Sequence, residues 1–439
     1  YRGLSAKTFR LDRMHILAEL AGHPERCAPV IHIAGSKGKG SVTTMIASML
    51  HEAGYHTGRY VSPHVSDYRE RISLADQYFS ETVYAAAGNE LRRIVEQAET
   101  EHPELFNPAT NTGEGPTFFE LLTLLFFLCC RWDHCDVMVV ETGMGGRLDA
   151  TNIVNPLVSV ITPIELEHTQ FLGNTLEAIA EEKAGIIKQG KPVVLAEQTA
   201  QAFAVFSKVC EERNATLWYM PDLVSLEDIE INHTGTRFAI HATPQGQKLF
   251  SLVSNIELSL VGRIQAANAA QALVAIRLTF PDIPWTHLKR GLANTTIPAR
   301  FERLGTHEPI IIDGAHTPRS VQLCRDTFLQ LYGSGQILLF GCAADKDIKG
   351  MAKLLVPHFS TIVLTQPGTF KKSDIQEIEK AFTAQKNAST LNIVCIPDTK
   401  MAIKHSLQMS EREARAVLVT GSFYLAAEVR QYITEHTDL

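Results

Sequence analysis

The side chains best suited to chemistry lie in one short stretch: Gly35, Ser36, Lys37, Gly38, Lys39, Gly40 and Ser41. Glycines at this density let backbone N–H groups converge on phosphate oxygens, and a helix N-terminus behind them adds partial positive charge. Lys39 stands where an ammonium can reach terminal phosphates, and Ser41 where a hydroxyl can ligate magnesium. The spacing Gly35-x-x-Gly38-Lys39-Gly40-Ser41 is shorter than the common Gly-x-x-x-x-Gly-Lys-Ser/Thr loop, and an ordinary glycine-rich turn before a helix is the competing reading.

Further candidates recur just past apolar runs. Glu141 follows Asp136–Val140 and opens Glu-Thr-Gly-Met-Gly-Gly-Arg-Leu-Asp-Ala-Thr-Asn152. A carboxylate before mobile glycines suits magnesium; capping the next helix is its alternative use. His168 follows Leu157–Ile161 and Glu165-Leu-Glu167, and is either a ligand or a structural histidine. Ser62, before Pro63 and His64, is either a metal ligand or a turn residue. Lys183 shares a helical face with Ile179, Ile186 and Ile187. A buried ammonium is costly, so Lys183 needs a partner or a modification, unless it snorkels to solvent.

These residues need a scaffold. Val30–Ala34 reads as the strand before the loop, and Val42, Met45, Ile46, Met49 and Leu50 as the apolar face of the helix after it, closed by Gly54. A helix is expected within Tyr1–Pro29, with Leu11, Met14, His15, Leu17 and Ala18 as a buried stripe ended by Gly22. Others are expected over Glu81–Ala98, from Thr117, and over Leu176–Lys188. Asn107–Pro116 reads as a loop. Phe118 and Phe119 are expected in the core, with ring stacking as the minority role. Tyr55–Val61, Asp136–Val140, Leu157–Ile161 and Lys191–Leu195 supply strands of the kind buried in parallel sheets. Thr216–Tyr219, Arg237–His241, Lys248–Val253 and Ile256–Leu260 suggest a small antiparallel edge sheet. A helix from Gly262 carries Gln265 and Asn268 on one face.

After Thr295–Pro298 the pattern restarts. Strands are expected at Pro309–Ile312, Gln336–Phe340, Thr361–Leu364, Leu391–Cys395 and Ala416–Val419, with helices between. The expected architecture is α/β: residues 1–296 as an N-terminal phosphate-loop parallel-sheet domain with its edge sheet, and 297–439 as a C-terminal doubly wound, Rossmann-like domain.

The chain's 439 residues allow such a pair of domains, and its net charge of −7 offers no general field for nucleic acid. The eight cysteines lack paired Cys-x-x-Cys spacing; Cys129, Cys130 and Cys135 read as packing residues, and a reduced, cytoplasmic setting is expected. The longest mostly apolar run, Leu121–Cys130, is too short to span a bilayer, and no signal peptide is apparent.

Five blocks in order resemble the folylpolyglutamate synthase and dihydrofolate synthase family, within the Mur ligase superfamily. They are Gly35–Ser41, Glu141–Asn152, Glu181-Glu-Lys-Ala-Gly185, Ala299-Arg-Phe-Glu302 and Asp313-Gly-Ala-His316. The resemblance implies an ATP-dependent amide ligase of folate and one-carbon metabolism. ATP phosphorylates an acceptor carboxylate, and the amine of L-glutamate attacks the acyl phosphate. The acceptor would be a folate or dihydropteroate.

By resemblance, one Mg2+ sits with Ser41, Ser62 and Glu141, and a second near Glu141 and His168, with Lys183 carbamylated to a metal-holding anion. Asn268 matches an adenine-side asparagine, Arg300 an arginine that reaches the phosphates, and Asp313 a ribose-side residue. His316 is a candidate for orienting glutamate; Ser422 and Asp345-Lys346-Asp347 are weaker ones. The sequence departs from the family at Ser36-Lys37, at Thr317, and at Glu165 and Glu167. A monomer without membrane or nucleic-acid partners is expected. Two alternatives remain: a Mur-type ligase with another acceptor or amino acid, and a non-catalytic nucleotide-binding switch.

Overall fold

Two largely parallel sheets carry the molecule, and the central strands of each are apolar on both faces because helices cover both sides. The computed structural model describes residues 11–65, 67–106, 115–250, 253–305, 308–368, 372–386 and 391–436. The first sheet comprises β1 (Val30–Ala34), β2 (Thr57–Tyr60), β3 (Ile72–Leu74), β4 (Val137–Glu141), β5 (Val158–Ile161), β6 (Val193–Leu195) and β7 (Leu217–Tyr219). Its order is β3-β2-β4-β1-β5-β6-β7, with only the β2–β3 pairing antiparallel. β1 therefore lies between β4 and β5, so the turns leaving β1, β4 and β5 meet at one edge, where open parallel sheets bind ligands.

Beside it lies a three-stranded antiparallel sheet of β8 (Val224–Asn232), β9 (Gly235–Ala242) and β10 (Val253–Leu258), ordered β10-β9-β8. The edge sheet differs in membership from the sequence expectation. Leu217–Tyr219 pairs parallel with β6 in the main sheet, Lys248 lies in a 3₁₀ turn at Gly246–Lys248, and β8, charged at Glu227, Asp228 and Glu230, completes the small sheet. Helix Arg263–Thr279 packs between the two sheets; its small, all-round apolar surface of alanines permits that burial.

The second sheet contains β11 (Glu302–Leu304), β12 (Ile310–Ile312), β13 (Gln336–Phe340), β14 (Phe359–Leu364), β15 (Asn392–Cys395) and β16 (Val417–Thr420), ordered β11-β12-β16-β13-β14-β15. Only β11 runs antiparallel. Contacts that join the two halves include Val65 against the core beneath β12 and β16, and the His233 and Tyr332 rings, 5.0 Å apart.

Several local expectations are corrected. His15 is exposed, whereas Arg13 is buried and paired with Glu120 at 3.1 Å. Phe118 is 45% exposed and Phe119 half-buried, because Thr117 caps the helix Phe118–Trp132 and turns its first residue outward. The helix from Leu176 stops at Ala184, and its C-cap Gly185 packs so tightly on Arg147 that a Cβ there would lie 2.3 Å from it. Within the expected Asn107–Pro116 loop, residues 107–114 lie outside the described residues, as do the first ten residues of the expected Tyr1–Pro29 segment.

Candidate active site

The phosphate loop leaves β1 at Gly35 and enters helix Lys39–Glu52 through Gly38, whose φ of +89° is left-handed. Glycine is required at both turns for space as well. A Cβ at Gly35 would lie 1.8 Å from Thr162 Oγ1, and one at Gly38 would lie 2.6 Å from Asn268 Oδ1. The loop is moored to the turn after β5: the Ser36 and Lys37 N–H groups both donate to Pro163 O, and Ser36 Oγ donates to Glu165 O.

Two ammonium groups converge on one carbonyl. Lys39 Nζ donates to Gly35 O at 2.9 Å, and Lys183 Nζ donates to the same oxygen at 2.7 Å. Lys183 is 1% exposed and is paired with Glu167 Oε1 at 2.8 Å, so its expected partner is Glu167. Burial and the nearby Lys39 push Lys183 down to about 8, against the pull of Glu167. Glu167 itself lies below the usual carboxylate range because Lys183 and Lys39 outweigh its burial.

Glu141 closes the other side. It is the last residue of β4 and is buried, and its Oε2 accepts the Ser62 N–H at 3.0 Å. A Cβ on Gly40 would sit 3.5 Å from the same oxygen, so the helix start and the carboxylate are in near contact. Burial pushes Glu141 up to about 7, with Lys39, the Ser62 N–H and Arg300 opposing. Ser41 is buried one residue on.

His168 stands at the rim: exposed, left-handed at φ +47°, and immediately before helix Thr169–Leu172. Its pKa is lowered, mainly by desolvation, and it feels Glu167, Lys39, Lys183 and Lys346. Lys37 points into the same field. Desolvation lowers it, Glu167 and Glu165 hold it up, and Lys39 and Arg300 push it down.

The second half contributes from three turns. Arg300 lies 4.4 Å over the Phe423 ring and within electrostatic range of both Asp313 and Glu141, so it spans the two sheets' ligand edges. Asp313, after β12, accepts the Phe301 N–H on Oδ2 and the Ala315 N–H on Oδ1, at 2.8 Å each; one oxygen thus holds the linker and the other its own turn. His316 Nδ1 bonds Gly314 O at 2.8 Å, and burial pushes its pKa down to about 4, with Lys37, Lys346 and Arg300 adding to the effect. Asn268 Nδ2 donates to Gln265 Oε1 at 3.0 Å, which turns its carbonyl oxygen towards Gly38.

Of the weaker candidates, Ser422 is buried and accepts the Tyr424 N–H, Asp347 caps helix Ile348–Leu355, and Lys346 pairs with Asp345. A cavity of about 280 Å³ adjoins the linker, bounded by His233, Thr295, Arg300, Tyr332 and Arg430 among others. Two participants were outside the sequence reading: Glu167 as the Lys183 partner, and Phe423 as the platform for Arg300. The requirement for a partner was visible at Lys183; its identity was not, because Glu167 lies in a different element.

A phosphate loop flanked by a carboxylate and two lysines, faced by an arginine from a second α/β lobe, defines a nucleotide-dependent ligase of the Mur class. Matches to known families agree. The Mur ligase middle domain matches residues 33–276, and the Mur ligase glutamate ligase domain matches residues 299–423. The dihydrofolate synthase/folylpolyglutamate synthase of Bacillus subtilis is 32% identical over 433 residues, covering 96% of this chain and 94% of its own. Folylpolyglutamate synthase of Mycobacterium tuberculosis complexed with ADP superposes with a TM-score of 0.86 at 28% identity, over 98% of this chain and 95% of that one. The E. coli FolC protein in complex with DHPP and ADP superposes with a TM-score of 0.80 at 26% identity, over 97% and 93%. The chain belongs to the folylpolyglutamate synthase/dihydrofolate synthase family of Mur ligases, ATP-dependent enzymes that ligate glutamate.

Proposed function

We propose that this chain joins L-glutamate to the terminal carboxylate of a folate, to dihydropteroate, or to both, with ATP as the activating substrate. The observation that carries the reading is the joint approach of Lys39 and Lys183 to the Gly35 carbonyl, beside Glu141 and facing Arg300. A carboxylate that must meet a polyanion needs cations on both sides of the reacting atoms. Lys39 and the N–H groups at the start of its helix serve the phosphates from below, the Ser36 and Lys37 N–H groups being held by Pro163 O. Arg300 serves them from the second lobe, so closure completes the charge set and excludes water from the acyl phosphate.

Gly35, Ser36, Lys37, Gly38, Lys39, Gly40 and Ser41 form the proposed nucleotide cradle, with Asn268 on the adenine side. Asp313 acts by holding the linker that carries Arg300. His316, kept neutral near pH 7 by its burial, is suited to accept or donate one hydrogen bond to incoming glutamate. The division we propose is residues 1–296 for the nucleotide and 297–439 for the amino acid.

The hydroxyls of Ser41 and Ser62 and the carboxylate of Glu141 make a hard oxygen donor set, which fits Mg2+. When bound, that ion would offset charge between nucleotide and acceptor. For a second ion near Glu141 and His168, the ammonium of Lys183 is unsuitable. Burial lowers its pKa and so raises its neutral fraction, which is the form that captures carbon dioxide as a carbamate. Carbamylation would set a second anion beside Glu167, an arrangement that a dication between them would stabilise. Eight free cysteines are consistent with a reduced, cytoplasmic setting, and no helix among the described residues is long and apolar enough to cross a membrane. We propose a monomer.

The test is to supply purified protein with ATP, Mg2+, glutamate and a panel of folate and pteroate acceptors, and to identify products by mass. An added glutamyl residue on either acceptor class supports the reading. Phosphate release without any conjugate refutes it.

A further inference from the structure

Four of the eight cysteines, Cys27, Cys129, Cys130 and Cys135, lie near one another and away from the ligase site. At the start of β4, three different donor types meet: an imidazole nitrogen of His56, a carboxylate oxygen of Asp133 and the thiol of Cys135 lie within 4.8 Å of one another. They come from three places in the chain: the residue before β2, the C-cap of helix Phe118–Trp132, and the turn into β4. His134, left-handed at φ +54°, folds that turn back on itself.

Each donor is held. The His56 N–H donates to Asp136 Oδ2 and the Asp136 N–H donates to His56 O, both at 2.8 Å. The Cys135 N–H donates to Cys130 O at 2.9 Å, and the Cys130 and Cys135 thiols are in hydrogen-bond contact, with Cys27 in electrostatic range. His56 Nε2 and Asp133 Oδ2 satisfy one another at 2.6 Å.

We propose that His56, Asp133 and Cys135 form a binding site for a thiophilic divalent cation, zinc above all, separate from the nucleotide site. Nitrogen, oxygen and sulfur in one cluster suit zinc and not magnesium or calcium. Donors around tetrahedral zinc stand about 3.5 Å apart, so side-chain rotation of a fraction of that distance closes the shell. The Cys130 thiol is the nearest candidate for a fourth ligand. Cys135 would bind as its thiolate and lose its proton to solvent, while a neutral His56 would offer Nε2 with its hydrogen on the other ring nitrogen, so binding would release a proton and tighten as pH rises. The His56 side chain is 42% exposed and Asp133 23%, which gives an ion its way in, while buried Cys135 anchors the inner side.

Six residue steps of nearly extended chain take Cys135 to Glu141, about 20 Å along β4. The cation would clamp β2, β4 and the end of helix Phe118–Trp132 at the end of the sheet opposite the phosphate loop.

The test uses full-length protein, reduced and freed of metal, in excess Mg2+ so that the nucleotide site does not report. Cobalt(II) is titrated as a spectroscopic probe and then displaced by zinc. One equivalent of cobalt should produce a thiolate-to-metal charge-transfer band that zinc abolishes. Cys135→Ser should lose at least about half of the band. His56→Gln, on a half-exposed side chain, should weaken zinc binding at least about tenfold. Cys395→Ser, in β15, should change nothing. Absence of a stoichiometric band, or a band undiminished in Cys135→Ser, overturns the proposal. So does unchanged zinc affinity in His56→Gln, which covers the case of a misfolded serine variant. A mass two hydrogens lower in the reduced preparation, marking a Cys130–Cys135 disulfide, also overturns it.

Discussion

Replacing Glu141 with Gln should stabilise the metal-free protein in alkaline solution while abolishing ligation. The buried Glu141 carboxyl is raised from 4.5 to about 7, chiefly by desolvation. A folded-state pKa above the unfolded one means that the native protein binds the extra proton. Its contribution to stability is complete below 4.5 and is lost as pH rises through about 7. The size of that loss is about 3 kcal/mol at about pH 8.5 and under about 1 kcal/mol at about pH 5.

Gln preserves the acceptor for the Ser62 N–H, matches the side chain in volume and never ionises. Urea unfolding of wild type and Glu141→Gln in chelator, at those two pH values, isolates the effect. The variant should be more stable by about 3 kcal/mol in the alkaline sample and nearly equal in the acidic one. Added Mg2+ should raise wild-type stability and leave the variant unmoved. A difference that is the same at both pH values would refute burial as the origin of the shift. A variant less stable than wild type at high pH would refute the assigned environment of Glu141 altogether.

Lys183→Ala should lower ligation by about a hundredfold or more while ATP binding, measured by calorimetry, stays within a few-fold. Intact-protein mass with labelled bicarbonate should show the carbamate on wild type alone, and short-chain acids should partly restore the variant. Arg300→Ala removes the group stacked on Phe423 and should raise the KM for ATP without changing either lobe's circular dichroism; unaltered ATP kinetics would exclude lobe closure over the phosphates. Gly38→Ala forces a left-handed backbone at φ +89° and drives a methyl into Asn268, so nucleotide affinity should fall and stability should drop by at least about 1 kcal/mol, read from Tm.

Much of the scaffold was legible because buried parallel strands are continuous apolar runs: β1 spans Val30–Ala34 and β13 spans Gln336–Phe340, as expected from sequence. Runs next to charged segments were less legible. β8 packs Val224, Leu226 and Ile229 on the core, but a bulge at left-handed Asp228 breaks the two-residue alternation, which hides the strand in the sequence. Leu217–Tyr219 was assigned to the wrong sheet because three residues cannot announce their partner.

At the site, Gly35–Ser41, Glu141 and Lys183 were visible as residue types at strand ends and on an apolar face. What sequence could not supply was pairing across elements: Glu167 to Lys183, Arg300 to Phe423, and Asp313 to the Phe301 N–H of the linker. Such contacts are set by how loops from different strands meet, which local pattern does not encode. Phe118 failed for a related reason: an apolar residue in the first turn after a cap faces wherever the cap aims it.

The central claim is that two lobes clasp a nucleotide so that an acid can be activated and then captured by glutamate. Phosphate release by the purified protein, measured with ATP and Mg2+ and with acceptor and glutamate omitted in turn, tests it most directly. The account predicts rapid release only when a folate or pteroate acceptor and glutamate are both present, in step with conjugate formed. Release that proceeds equally without acceptor and glutamate would contradict it.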